Sequence, residues 1–219
     1  MQIRMLTLCA LCLLPYCVQA QDGLMSCDDV GKHKKGGKAD TGATVQQIKP
    51  HLLQVNTAAG PRRFADKAPY GEELSGVRYE VCSEQDGFVL LHKADEGLFT
   101  GTLIDLQSGA VTPGGETVLF SPDRRAYFVT EQPDGLDGSQ WKIYARDGRL
   151  SWSGYSFTET AKGSGMVAMF LGEPHWLPNG EFAAKASCNG TFDDSWPVKL
   201  IRQAKGEWRW QPQKKCPAR

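Results

Sequence analysis

The chain has 219 residues, with 25 basic and 25 acidic side chains and a formal net charge of zero. That balance argues against a broad cationic surface, so neither nucleic acid nor anionic lipid is an expected partner. The length suffices for one core of respectable size, and no linker divides it.

The first element is an export signal. In MQIRMLTLCALCLLPYCVQA, Arg4 forms a short basic head, Met5 to Val18 are apolar, and Val18 and Ala20 occupy the small-residue positions of a cleavage site. Residues 1–20 therefore read as a signal peptide, with a mature start at Gln21. The apolar run is shorter than the roughly 20 residues of a membrane-spanning helix, and Cys12 and Cys17 follow Leu11 and Tyr16, not the small residues of a lipid-attachment site. The expectation is a soluble periplasmic or secreted protein with no integral membrane segment. Cys9, Cys12 and Cys17 leave with the signal, so Cys27, Cys82, Cys188 and Cys216 remain, with no CxxC spacing among them. An even count in an oxidising compartment points to two structural disulfides. Of three connectivities, Cys27 with Cys82 and Cys188 with Cys216 is the favoured one.

Residues 21–43 read mostly as a disordered polar arm that includes the basic run Lys32, His33, Lys34, Lys35 and Lys38. Residues 44–219 read as a single β domain. It opens with a hairpin formed by Leu52, Leu53 and Val55, a turn at Gly60-Pro61, and Phe64. From Val77 onward apolar residues recur at every second position, the strand period: Val77, Tyr79 and Val81; Trp141, Ile143 and Ala145; Trp196, Val198 and Leu200. Each set is expected on one face of a sheet. The turn signals between them, Asp86-Gly87, Ser108-Gly109, Pro122-Asp123, Asp147-Gly148, Asn179-Gly180 and Lys205-Gly206, favour tight hairpins and an antiparallel meander. Met166 to Leu171, continuously apolar, reads as a strand buried on both faces.

Two segments repeat. LFSPDRRAYFV (Leu119 to Val129) and HWLPNGEFAAK (His175 to Lys185) share a strand end, a Pro-centred turn and a second strand; Pro122 and Pro178 are 56 residues apart, Trp141 and Trp196 are 55, and Gly148 and Gly206 are 58. One nearly constant offset argues for a duplicated four-strand unit, with a fainter third copy in GFVLLHK and TLIDLQSGAV. FSPDRRAYFV, followed by a strand and a DG or KG turn, resembles the S-P-D-G-[KR] blades of WD40-like propellers in exported bacterial proteins, over about residues 75–212. The resemblance implies an all-β fold of antiparallel four-strand meander units in a propeller-like arrangement. Arg124 stands where that pattern has Gly, and three visible units fall short of the roughly 4 to 8 blades of a closed ring, so an incomplete propeller is part of the expectation and a β-sandwich is the other fold considered.

No motif demands catalysis. There is no GxSxG elbow, and Gly163-Ser164-Gly165 reads as a loop tip. The histidines His33, His51, His92 and His175 lack the i, i+4 spacing of a helical zinc site, and neither a metal nor another cofactor is expected. Asp134, Asp137, Asp193 and Asp194 are candidate oxygen ligands that read more simply as acidic turns. Glu173, beside Pro174 and His175, is the one acid near aromatics on what reads as a loop, and Trp176 is the tryptophan expected nearest a surface. Trp152, Trp208 and Trp210 read as core. Asn189-Gly190-Thr191 is a formal sequon.

The candidate binding set is thus Glu173, His175, Trp176, Asp193 and Asp194, with no residue assigned to catalysis. The expected function is non-catalytic binding of another protein, as an inhibitor or immunity protein against an enzyme acting in the cell envelope. The competing reading is a glycan-binding protein, or a glycan-acting hydrolase using Glu173 or the Asp193-Asp194 pair.

Overall fold

The computed structural model describes residues 23–27, 44–70, 75–95, 98–132, 139–160, 167–188, 190–214 and 216. The signal segment, the basic run at 32–38, Asp134, Asp137, Ser164 and Asn189 lie outside them. The described residues form strands joined by turns, with no helix and hence none long and apolar enough to cross a membrane.

A short strand, β1 (Leu24–Ser26), precedes a three-stranded antiparallel sheet of β2 (Val45–Lys49), β3 (Leu52–Val55) and β4 (Arg62–Ala65). The hairpin expected from Leu52 to Phe64 is β3–β4, with Leu53 opposite Phe64. A four-stranded meander follows: β5 (Val77–Gln85), β6 (Phe88–Asp95), β7 (Leu98–Asp105) and β8 (Val111–Gly114). The third sheet contains β9 (Thr117–Phe120), β10 (Ala126–Glu131), β11 (Gln140–Ala145) and β12 (Leu150–Tyr155), and β1 pairs with β9 as its fifth strand. The last sheet is β13 (Phe157–Glu159), β14 (Val167–Trp176), β15 (Phe182–Ser187), β16 (Trp196–Arg202) and β17 (Trp208–Gln211), in that order.

Three hydrophobic clusters show how the sheets pack. Val55 meets Val89, Leu91 and Ile104 between the first and second sheets. Phe88, Leu90 and Leu103 meet Val118, Phe120, Tyr127 and Val129 between the second and third. Leu119, Phe128, Trp141 and Ile143 meet Phe182, Trp196, Val198, Leu200 and Trp210 between the third and fourth. The sheets therefore stack in chain order. The two inner sheets are covered on both sides, which is why Phe88 to Leu91 are all buried: alternate residues serve opposite neighbours.

The end sheets behave differently. On β16, Trp196, Val198 and Leu200 are buried while Pro197 and Lys199 are exposed, the alternation expected for one covered face. The reading of Met166 to Leu171 as a doubly buried strand is corrected for the same reason. Met169 and Leu171 are buried, but Ala168 and Phe170 between them are only partly buried and Val167 at the strand's start is 41% exposed, as expected where the described residues form no further sheet beyond β14. On β5 the register puts Tyr79 opposite Lys93 and Val81 opposite Leu91, so these two share the face toward the first sheet, although Val81 is 37% exposed. Pairing then jumps to Ser83↔Leu90, a bulge that turns Cys82 into the cluster against the third sheet.

Cys82 is bonded there to Cys27, and Cys188 is bonded to Cys216, the connectivity favoured among the three. The first bridge fastens β1, whose Met25 is 1% exposed, beside the second sheet. Nothing in the polar composition around residues 21–43 signals that strand. The passage from β8 to β9 crosses between sheets in two residues, and a Cβ on Gly115 would sit 2.3 Å from the Thr130 carbonyl oxygen, so only glycine fits.

The hairpins follow the turn chemistry. Asp86 and Gly87 both have positive φ (54° and 82°), as a two-residue primed turn requires. Gly148, Gly180 and Gly206 are each left-handed, and each donates its N–H three residues back, to Ala145, Leu177 and Gln203. Arg124 occupies the same place in the β9–β10 turn, with φ of 53° and its N–H donated to Ser121. Its guanidinium donates to Asp86 at 2.7 Å and lies 5.5 Å from the Phe120 ring centroid, which ties two hairpin tips together. This contact holds the Asp86 carboxyl below its usual range. Left-handed backbone disfavours any residue with a Cβ, so the contact offsets a local cost. Arg124→Ala keeps the backbone cost and loses the contact, whereas Arg124→Gly loses both. The expected order of urea midpoints is therefore wild type and Arg124→Gly close together, with Arg124→Ala below either.

Candidate functional site

Glu173, His175 and Trp176 lie within strand β14, not on a loop. Pairing with β15 passes from Gly172↔Lys185 to His175↔Ala183, so Glu173 and Pro174 bulge out opposite Ala184. Pro174 has no N–H to give to a ladder, which confines it to a place of this kind, and Glu173 takes a left-handed φ of 50°. The bulge turns the Glu173 side chain outward, where Lys185 Nζ reaches its two carboxylate oxygens at 2.8 and 2.7 Å. Both side chains are about half exposed, at 60% and 45%. In water such a pair contributes little, about 0 to 1 kcal/mol, so its interest lies in position and charge.

The imidazole Nδ1–H of His175 donates to the Glu173 carbonyl at 2.8 Å, which orients the ring across the bulge. Trp176 departs from the expectation of a surface anchor. Its indole N–H donates to the Leu119 carbonyl at 2.9 Å, its ring meets Phe182 at 5.0 Å with an interplanar angle of 61°, and it packs against the cluster between the third and fourth sheets. It is partly buried, and it fastens two sheets together. An indole is large and apolar with one donor, so a site offering both a carbonyl and an aromatic edge suits it. Sequence alone identified the residue but could not place Leu119, 57 positions away, beside it.

Asp193 and Asp194 are both exposed in the connection from β15 to β16. Phe192, at φ of 60°, turns its ring against Gly172, where a Cβ would stand 2.6 Å from the ring's Cζ. That contact brings the Asp193-Asp194 connection alongside the β14 bulge, so the candidate residues fall in two adjacent patches: Glu173, His175 and Lys185 on the strands, and the two aspartates on the connection. The Cys188–Cys216 bridge anchors the start of this connection to the chain's end. Nearby, Glu181 accepts from Lys199 and from Asn179, and these partners hold its carboxyl below the ordinary carboxylate range. An acid held ionised in this way serves as an electrostatic contact; it does not donate a proton near neutrality.

A second constellation escaped sequence reading. His51, at φ of 61° in the β2–β3 turn, approaches Asp66 Oδ2 through Nδ1 at 3.2 Å and stacks on Tyr70 with ring centroids 3.8 Å apart and planes 12° apart. Asp66 Oδ1 also accepts the Tyr79 N–H at 3.0 Å, and the Asp66 N–H donates to the His51 carbonyl. The carboxylate thus clamps the first sheet's hairpin to the start of β5. Asp66 is 15 residues from His51, a separation that carries no local signature.

His92, half-buried on β6, has its pKa lowered chiefly by burial, with Arg78 acting in the same direction and Glu80 opposing. Among the described residues, no group of three or more His, Cys, Asp or Glu side chains could hold a metal ion. The tryptophans expected in the core are there: Trp210 is 5% exposed, with Trp141 and Trp152 edge-on to it at 6.1 and 5.9 Å, and Trp208 packs partly buried against the same cluster. No protein-family model matches this chain, and no curated protein or solved structure matches it significantly.

Proposed function

We propose that this is an exported, non-catalytic binding protein that engages another protein, of the kind that inhibits or confers immunity to an enzyme acting in the cell envelope. The observation that carries this reading is the state of the acids singled out for chemistry. Glu173 is engaged by Lys185 in an exposed ion pair on a strand bulge, and Asp193 and Asp194 stand in the open on a neighbouring connection. General-acid chemistry on a glycan calls for a sheltered carboxyl with a raised pKa opposite a second carboxylate. Exposed charges on a rigid sheet and its connection suit recognition of a complementary protein surface. The N-terminal signal sequence and the two disulfides support a periplasmic or secreted setting, and the stacked sheets hold the connecting loops on a firm base. A propeller-like relation among the four sheets belongs to the same proposal.

The test uses the mature chain from Gln21, oxidised, as bait in an envelope extract, followed by screening the same preparation against cell-wall polymers. A stoichiometric protein partner is the expected result, with loss of that partner on Glu173→Lys. Turnover of a polymer that Glu173→Gln or Asp193→Asn abolishes would replace the proposal with the hydrolase reading. A chain that stays monomeric and retains only glycan would replace it with the glycan-binding one.

A further inference from the structure

The fourth sheet ends at β17, and the geometry points to this free edge as a docking strand for an extended, acidic segment of a partner protein. The inference rests on the protein-binding reading above and adds where and how the partner is held.

The hydrogen-bond alternation sets which groups are on offer. The Gln203 N–H donates to Glu207 across the mouth of the last hairpin, and the register then runs Arg202↔Trp208, Ile201↔Arg209, Leu200↔Trp210 and Lys199↔Gln211. Bonded and non-bonded pairs alternate along an antiparallel ladder. Arg209 and Gln211 therefore use their backbone groups on β16, whereas Trp208 and Trp210 aim theirs away from the sheet. An open depression of about 240 Å³ is lined by Gln203, Arg209, Trp210, Gln211, Pro212 and Gln213, residues of β17 and its flanks.

Among the described residues, no strand pairs with this outer edge. The residues after β17 turn back at Pro212, whose carbonyl accepts from the Trp196 indole at 3.3 Å, and Lys214 sits 4.9 Å above the same ring on the way to Cys216. Pro212 and Lys214 thus lie over the start of β16. The outer edge of β5 is treated differently: Lys67 and Val77 exchange backbone hydrogen bonds across it, and Tyr79 N–H is taken by Asp66. One edge is capped and the other is presented.

Charge selects the occupant. Between Arg202 and Lys214 the chain carries Arg202, Lys205, Arg209 and Lys214 against the single acid Glu207, and all five are exposed. A second copy of β17 added in the register centred on Arg209 would bring Arg209 opposite Arg209, which disfavours that pairing. Arg209 already donates to the exposed Glu207 carboxylate at 3.2 Å. A strand with an acid opposite Arg209 shares that guanidinium, while its apolar residues facing Trp208 and Trp210 gain main-chain bonds and contact with the partly buried Trp208 ring.

The probe is the peptide acetyl-Thr-Val-Glu-Val-Thr-amide, added to the isotope-labelled, oxidised mature chain. At about ten times its dissociation constant it should slow amide exchange at Trp208 and Trp210 by about tenfold. Arg209→Glu should remove that protection, and the Thr-Val-Lys-Val-Thr counterpart should restore it on the Arg209→Glu chain. Protection at β12 instead, absence of protection, or equal binding of both peptides by both chains would overturn the assignment. A partner captured from the envelope extract and fully retained by Arg209→Glu would also overturn it, while leaving the protein-binding reading in place.

Discussion

Replacing Cys27 and Cys82 together by alanine is expected to lower the stability of the mature chain by about 4 kcal/mol, the chain-entropy value for a closed loop of this length. The bridge spans 55 residues, across which the first sheet and the start of the second must fold. Its structural consequence is local. β1 is three residues long and, among the described strands, pairs with β9 alone, so once untethered it must hold by three backbone pairings and the burial of Met25. If β1 leaves, Val118 and Phe120 on the edge of the third sheet gain water contact. Equilibrium denaturation in urea of the oxidised wild type beside the oxidised double variant checks the prediction, and exchange at β9 amides should accelerate in the variant. A loss below about 1 kcal/mol would mean that packing of Met25 alone holds β1, since a buried side chain of that size contributes about 1.5 to 3 kcal/mol.

β1 was invisible from sequence for a reason that applies elsewhere in the chain. Leu24, Met25 and Ser26 offer one buried side chain, and the partner strand is more than ninety residues away. Pattern reading detects elements that bury a full face through local alternation, as β16 does with Trp196, Val198 and Leu200. It also read the hairpins correctly, because a left-handed turn position strongly favours glycine, and the glycines at 148, 180 and 206 are all left-handed. The inner sheets blur the pattern. Phe88, Val89, Leu90 and Leu91 serve two interfaces at once, and a run of that kind is indistinguishable by period from the Met166 to Leu171 run, which serves one. Only the order of the stack separates them.

The candidate site was legible in part. Glu173, Pro174 and His175 signalled an irregularity, and the bulge is the form it takes. The Lys185 partner follows from pairing across β14 and β15, which the repeat of turns implied. The role of Trp176 depended on a carbonyl 57 residues distant, and the His51, Asp66 and Tyr70 cluster on a turn, a strand end and a strap that meet only in the folded chain. That β17 is the last strand of its sheet among the described residues depends on what does not pair with it, which no local pattern encodes.

Phe128→Ala is expected to cost about 3 to 5 kcal/mol, the range for truncating a fully buried aromatic ring. Phe128 is 0% exposed at the middle of the interface between the third and fourth sheets, with Phe182 at 4.7 Å and Trp141 edge-on at 5.3 Å. Those neighbours are themselves large and bonded into their sheets, so the space vacated cannot close by a small shift, and a residual cavity adds to the lost transfer free energy. Its neighbour Val129, also 0% exposed, points to the opposite interface, against Phe88 and Leu90. Val129→Ala removes less volume and should cost less. The pair tests the stack itself. If adjacent residues serve different sheets, denaturation of Phe128→Ala should perturb tryptophan fluorescence from Trp141 and Trp210 before the second sheet's amides lose protection, while Val129→Ala should do the reverse. Identical responses from the two variants would mean that the sheets share one undivided core, and the serial arrangement of interfaces would have to be abandoned.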